Sequence, residues 1–411
     1  MSSKFPYRDL GRHQSKTKLS TITVHNMTPL TGVRASNKQL TAATVPQVAV
    51  FVGATAGIGK AALTELISTG FPVKAYIIGR DEAAFEPALS ELRASYSSAT
   101  LVFLQGELSL LAEAKRLTNI ILRREGYIDL LFLSAGFLPF LGRQGTSEPT
   151  KITISLLVHV QLKQLIHPTK IVWLLITFTP IAESTEGVEL STAVAYYSRQ
   201  IFIRRLLPLL RAKAKTTQSQ QDASFRPRIV NVLAAGAETS TENLFLDDLQ
   251  LKQDGHFSVP SYAGHVATMT SVSLRRLSEE AENKNIVVIH HHPGLVYTEI
   301  FKKSWGDQWD SSREHARPPA PDDIERSTPA EAGERALYLM TSAKYGGVGV
   351  PMGEGEAAGL TVRGTRDGSL LCVGDKLETL SSVSRILDSL EDSGAAETIW
   401  SYTDKVIGGY L

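Results

Sequence analysis

Ala49-Val50-Phe51-Val52-Gly53-Ala54-Thr55-Ala56-Gly57-Ile58-Gly59 decides the fold. Small and β-branched apolar residues run up to a glycine, and two further glycines flank Ile58. A helical pattern follows, with Leu63, Leu66 and Ile67 on one face and Gly70 at its expected end. This is the pattern of a buried parallel strand feeding a phosphate-binding turn and then a helix. Gly53 would permit the tight turn, Gly57 the approach of a diphosphate to the backbone, and Gly59 close packing of helix on strand. The bare amides at the helix start, with Thr55, Ala56 and Ile58 around them, would face the anion. Glycine spacing alone also fits an idle turn, but here strand, turn and helix arrive in the required order.

Working outward, strand and helix patterns alternate from Val48 to about Leu141, as in a doubly wound parallel α/β sheet. The second strand, Val73–Ile78, ends at Gly79-Arg80-Asp81. The third, Leu101–Leu104, is followed by Glu107-Leu108-Ser109. The fourth, Asp129–Leu133, ends at Ser134-Ala135-Gly136. Arg228–Ala235 and Ile286–His291 read as the fifth and sixth strands, and Leu370–Val373 as a short later one. Helices are expected over Ser191–Leu210, stopping near Pro208, over Thr268–Ala281 and over Pro329–Ser342, with Lys213–Ser224 as a polar linker.

Composition narrows the classes. The 411 residues are 43% hydrophobic, ample for a packed core, and the formal charge of +1 argues against a nucleic-acid or anionic-membrane surface. Cys372 is the single cysteine, so a disulfide framework is excluded and a reducing, cytoplasmic setting fits. No apolar run reaches the roughly 20 residues that span a bilayer, and no secretory signal opens the chain. On a strand, at most two of His290, His291 and His292 share a side, so no metal is expected.

The ordered series Gly53–Gly59, Ser134-Ala135-Gly136, Leu206–Leu210, Arg228–Val232, Asp247-Asp248-Leu249 and Pro293-Gly294-Leu295-Val296-Tyr297-Thr298 resembles the short-chain dehydrogenase/reductase family. The resemblance is to its retinol-dehydrogenase-like branch, found among fungal secondary-metabolism genes. It implies a Rossmann fold, one domain with insertions, and a nicotinamide dinucleotide. The implied cofactor contacts are Gly53, Thr55, Ala56, Gly57, Ile58, Gly59, Arg80, Glu107, Leu108, Ser134, Ala135, Gly136, Pro293, Gly294, Val296 and Thr298. Where an NAD site carries an acid at the end of the second strand, this chain has Gly79 and then a guanidinium. Arg80 therefore favours NADP over NAD, through a bidentate grip on the 2′-phosphate.

The family's proton relay is a tyrosine, a lysine, a serine and an asparagine. Mapped here, Tyr262 remains, while Val266, Ala234 and Ala195 occupy the lysine, serine and asparagine positions. A tyrosine without a neighbouring cation has a pKa near 10. His265, three residues on, is the candidate substitute; a solvent-facing or core histidine without a role is the commoner case. Two functions follow. One is an NADP(H)-dependent oxidoreductase acting on a carbonyl or alcohol of a small lipophilic polyketide or terpenoid. The other is a cofactor-binding pseudoenzyme or non-redox catalyst, an isomerase or cyclase, on the same scaffold. A homo-oligomer is compatible with either.

The expected organisation is an N-terminal extension over 1–44, disordered, with Met27 as an alternative start. A dinucleotide-binding half follows over 45–148, an atypical block over 149–184, the second half with the catalytic region over 185–300, and a substrate loop with C-terminal helices over 301–411. Lys151–Ile181 contains no Asp, Glu or Gly and reads as a retained intron rather than a functional lid.

Overall fold

The computed structural model describes residues 27–143, 183–218, 225–305 and 326–411. A short helix, α1 (Leu30–Asn37), precedes β1 (Val48–Val52), α2 (Gly57–Ser68), β2 (Val73–Gly79), α3 (Glu82–Ser95), β3 (Ala99–Gln105), α4 (Leu111–Arg124) and β4 (Leu130–Leu133). A single turn, α5 (Leu190–Thr192), leads through a π-helical turn over Ala193–Tyr197 into α6 (Ser198–Gln218) and β5 (Arg228–Val232). Then come α7 (Val259–Glu279), β6 (Val287–His291), β7 (Leu295–Val296), α8 (Ile300–Trp305), β8 (Arg326–Ser327), α9 (Pro329–Thr341), β9 (Leu370–Val373), α10 (Ser381–Asp392) and α11 (Ala395–Ile407).

Seven strands form one parallel sheet in the order β3-β2-β1-β4-β5-β6-β9, a doubly wound α/β architecture that reverses direction between β1 and β4. A parallel sheet must be covered on both faces, which explains the unbroken apolar runs: every residue of β1, β4, β5, β6 and β9 is buried. Alternation splits the core into two layers. Val48, Val50 and Val52 pack with α4, α6 and α7, whereas Ala49 and Phe51 pack with α2, α3 and α9.

The last helix closes one layer. Ala395, Ile399, Thr403 and Ile407 form its buried stripe. Thr403 Oγ1 hydrogen-bonds the hydroxyl of Tyr196, which also bonds Ser273 of α7. The guanidiniums of Arg204 (α6) and Arg276 (α7) lie over the Trp400 ring, 3.8 and 4.4 Å from its centroid.

Three expectations are corrected. Within the extension over 1–44, residues from Met27 onward are packed: Val33 is fully buried, Arg34 pairs with Glu334 at 3.0 Å, and Thr28 bonds Glu356 and Lys344. Residues 1–26, and with them the reading of Met27 as a start, lie outside the described residues. The helix expected to stop near Pro208 continues to Gln218, so Lys213–Gln218 is not linker. Burial of Leu209, Leu210 and Ala214 offsets the hydrogen bond Pro208 cannot make, and Lys213 reaches the buried carboxylate of Asp129 at 2.9 Å.

The third correction concerns the atypical block, most of which lies outside the described residues. Its last two residues are framework. Glu183 pairs with Arg143 at 3.3 Å and with Lys252 at 2.8 Å, and Ser184 Oγ accepts from the amide of Glu186. Just beyond, the Glu186 carboxylate accepts from the amides of Leu111 and Ala112 and so caps α4 from a distance in sequence. Residues on either side of the block therefore meet. A chain lacking residues 149–182 is expected to fold, with a cooperative thermal transition within about 5 °C of the full-length protein. Circular dichroism melts of both proteins check this, and a loss of cooperativity would make the block part of the framework.

Candidate active site and cofactor cleft

The carboxyl ends of β1, β2 and β4 and the start of α2 meet so closely that three positions exclude a side chain. Gly53 has φ +94°, and a Cβ there would lie 2.5 Å from the backbone nitrogen of Ala135. A Cβ on Gly59 would overlap the Gly53 carbonyl and the Ser134 hydroxyl, and one on Gly79 would overlap Thr55. Gly57 has φ +55°, and a Cβ there would touch Thr298 at 3.4 Å. The sequence reading gave Gly57 to ligand approach; its backbone conformation is a separate reason for glycine.

Helix α2 starts at Gly57 behind Ala56, which has no side-chain cap, and its first turn holds no acid. Its first amides therefore open into a cavity of about 860 Å³. Thr55, Ala56, Gly57 and Lys60 wall one side, and Val296, Thr298 and Lys302 the other. The free amide at the helix start and the lysines Lys60 and Lys302 suit a dinucleotide diphosphate, with Glu65 and Glu299 also on the lining.

On the β2 side, Arg80 is exposed directly after Gly79. Asp81, the nearest acid, is spent on α3, where its carboxylate accepts from the Ala84 amide at 2.9 Å. Glu107 Oε1 accepts from the amide and hydroxyl of Ser109, and Leu108 is buried. On the β4 side, the Ser134 hydroxyl donates to the Gly53 carbonyl at 3.2 Å, fixing Ala135 and Gly136 beside the turn. Beyond β6, Pro293 leads into Gly294, whose φ of +70° brings the chain against Asp375. Val296 then pairs with Ser327, holding the wall that carries Thr298.

The catalytic region departs from expectation. The Tyr262 hydroxyl is buried and donates to the Ser191 carbonyl at 3.1 Å. Burial pushes its pKa above the ordinary value, and the charge of Glu189 adds to the effect. His265 does not serve Tyr262. Its Nε2 accepts from the Phe245 amide at 3.1 Å, its ring faces Phe245, and burial pulls its pKa down to about 4, leaving it neutral at pH 7. A proton-poor imidazole tied to a backbone amide cannot supply the missing positive charge. Ala234 turns its amide inward to His290 Nε2, Val266 is buried, and Ala195 lies in the π-helical turn.

Two features escaped the sequence reading. Arg199, one turn after Ala195, is buried at the ends of β4 and β5 and donates to the carbonyls of Val232 and Ala135. The signal was an arginine flanked by Tyr196, Tyr197, Ile201 and Phe202 on an otherwise core-forming helix. The second is a buried cluster in which the Ser271 hydroxyl lies 2.6 Å from Glu238 and 2.7 Å from His290 Nδ1, with Cys372 beside it. The histidine run divides as the strand alternation requires: His290 faces α7, whereas His291 faces the opposite layer and bonds the Val373 carbonyl. Glu238, His290 and Cys372 bring three potential metal donors within 4.8 Å of one another, with Glu238 and His290 Nδ1 3.3 Å apart and the Ser271 hydroxyl bonded to both.

Residues 47–177 match the family model described as short chain dehydrogenase. The oxidoreductase lepF of Aspergillus flavus is 33% identical over 276 residues, which cover 67% of this chain and 64% of that relative's length. The NmrA-like family domain-containing oxidoreductase notO of an Aspergillus species is 27% identical, over 92% of this chain and 95% of its own. An Emericella nidulans oxidoreductase is 29% identical, over 93% and 98%.

Two predictions follow from the packing. Gly53→Ala is expected to cost about 2–3 kcal/mol of stability, from overlap with Ala135 and the left-handed φ, measured by urea unfolding. The second concerns pH. Burial holds His265 near 4 and His291 near 3, both below the ordinary 6.5. The unfolded chain therefore binds more protons, and this stability is present above pH 6.5 and lost as pH falls. Each histidine should cost roughly 2 kcal/mol between pH 7 and pH 5. Urea midpoints at the two pH values check it; a midpoint at pH 5 equal to that at pH 7 contradicts it.

Proposed function

The chain belongs to the short-chain dehydrogenase/reductase family, and from that premise we propose that it is an NADP(H)-dependent oxidoreductase acting on a carbonyl or alcohol of a small lipophilic secondary metabolite. The carrying observation is the uncapped start of α2, which opens into a cleft beside the junction where Gly53 and Gly59 leave no room for a side chain. Relatives named as oxidoreductases support the reaction class. A cytoplasmic setting belongs to the reading, since Cys372 is a buried free thiol. Among the described residues no helix is long and apolar enough to cross a membrane.

In this reading the amides of Gly57, Ile58 and Gly59 hold the diphosphate, and Arg80 takes the 2′-phosphate that an acid would repel. Glu107 and Leu108 border the adenine side. Ser134, Ala135 and Gly136 support the other half, covered by Pro293, Gly294, Val296 and Thr298. Bound nicotinamide would supply hydride to a carbonyl, or take it from an alcohol. Tyr262 is the chain's own proton donor in this scheme. To act, its hydroxyl must leave the Ser191 carbonyl for the substrate oxygen.

That requirement favours a second reading, a cofactor-binding scaffold for isomerisation, cyclisation or partner binding. Its supporting observation is the exchange of three relay positions for Ala195, Ala234 and Val266, with the Tyr262 hydroxyl already engaged. NADPH titration by intrinsic fluorescence, followed by single turnover against a carbonyl panel, separates the two: tight binding with no turnover selects the scaffold. Arg80→Ala is expected to weaken NADPH about tenfold, the worth of one charge-assisted pair, and NADH by less than about twofold. Equal losses for both nucleotides would remove the argument for phosphate recognition.

A further inference from the structure

Arg199 carries a charge that its surroundings do not neutralise. It is 2% exposed. Nη1 donates to the Val232 carbonyl at 2.8 Å and to Asn231 Oδ1 at 2.9 Å, and Nη2 donates to the Ala135 carbonyl. Among the described residues its Nε has no acceptor, and neither has Nδ2 of the Asn231 it bonds. Nη1 also lies 3.4 Å from the Leu133 carbonyl, so the acceptors around the guanidinium are neutral oxygens. Among the described residues no carboxylate is paired with the guanidinium, and the acidic group whose charge bears on it is the Tyr262 hydroxyl. Burial brings its pKa down to about 10, so it remains a cation at pH 7.

Such a group is costly unless something offsets it. Among the described residues the other buried arginine without an acid partner is Arg228, whose Nε also lacks an acceptor but whose charge is offset differently. Arg228 donates to the Leu339 and Ser342 carbonyls at the C-terminus of α9, where the helix dipole favours a cation. Arg199 has no helix end. It lies behind Gly136, where a Cβ would come within 3.5 Å of Nη2, under the strand ends on the β4–β5 side of the point where the sheet reverses. A dinucleotide with its diphosphate on α2 and its 2′-phosphate at Arg80 has its other half over this side.

We infer that Arg199 charges the nicotinamide half of the cleft, so that the chain binds reduced dinucleotide in preference to oxidised. The inference rests on the dinucleotide reading above. The oxidised ring carries a positive charge that the reduced ring lacks, so the ratio of the two affinities reports the local field. Arg199 acts here as a positioning residue, through its field. A unit charge acting across two or three strand spacings at an effective dielectric of ~20 changes an affinity by about tenfold.

The test is direct binding of NADPH, NADP+ and 2′-phospho-ADP-ribose, which lacks the ring, to the full-length protein and to its Arg199→Lys and Arg199→Gln variants. Wild type is expected to hold NADPH about tenfold tighter than NADP+. Arg199→Lys should keep that preference. Arg199→Gln should reduce it to within about twofold without changing the affinity for 2′-phospho-ADP-ribose, whereas a merely structural role would move all three affinities together. A wild-type preference below about threefold, or one that survives in Arg199→Gln, overturns the inference. The wild-type ratio decides against it even if the glutamine variant fails to fold, and Arg199→Met then supplies the neutral comparison. Absence of any nucleotide binding overturns the dinucleotide reading instead, so the two failures are told apart.

Discussion

The contact between Gly53, Gly59 and the Ser134–Ala135 backbone governs this molecule. Two parallel strands and a helix start converge there with no room for a β-carbon. That proximity leaves the first amides of α2 uncovered and aims them past the strand ends. It also fixes the reversal of the sheet between β1 and β4, from which the cleft arises. Arg80, Thr298 and Arg199 take their places relative to that junction.

The two halves of the cleft have been treated differently. The phosphate half keeps small residues and unspent donors. In the other half, polar groups have turned inward. The Ala234 amide goes to His290, the Tyr262 hydroxyl to Ser191, and Ser271 joins Glu238 to His290. Buried polar groups closed in this way are rigid and expensive to rearrange. A proton relay built on this half would have to break bonds that the resting protein already makes, whereas the phosphate half needs no such change.

Legibility in the sequence followed the range of the interactions. The parallel sheet was plain because strands buried on both faces must be apolar throughout, as Leu130–Leu133 and Val48–Val52 are. The phosphate turn was plain because its constraint is local backbone geometry. Arg199 was missed because its meaning depends on Val232 and Ala135, which only the folded sheet brings to it. His265 could be read two ways because helical spacing puts it near Tyr262, while the Phe245 loop, twenty residues away, claims its ring. Pro208 was overweighted because burial of Leu210 and Ala214 outweighs one absent amide.

The terminal helix α11 has a consequence for synthesis. Its stripe from Ala395 to Ile407 shields α6 and α7, and Trp400 is gripped between Arg204 and Arg276. Those partners leave the ribosome long before the segment that covers them. A nascent chain bearing the finished phosphate turn still presents a bare apolar flank until Ala395–Ile407 has been made, and through that interval the flank is open to non-native association.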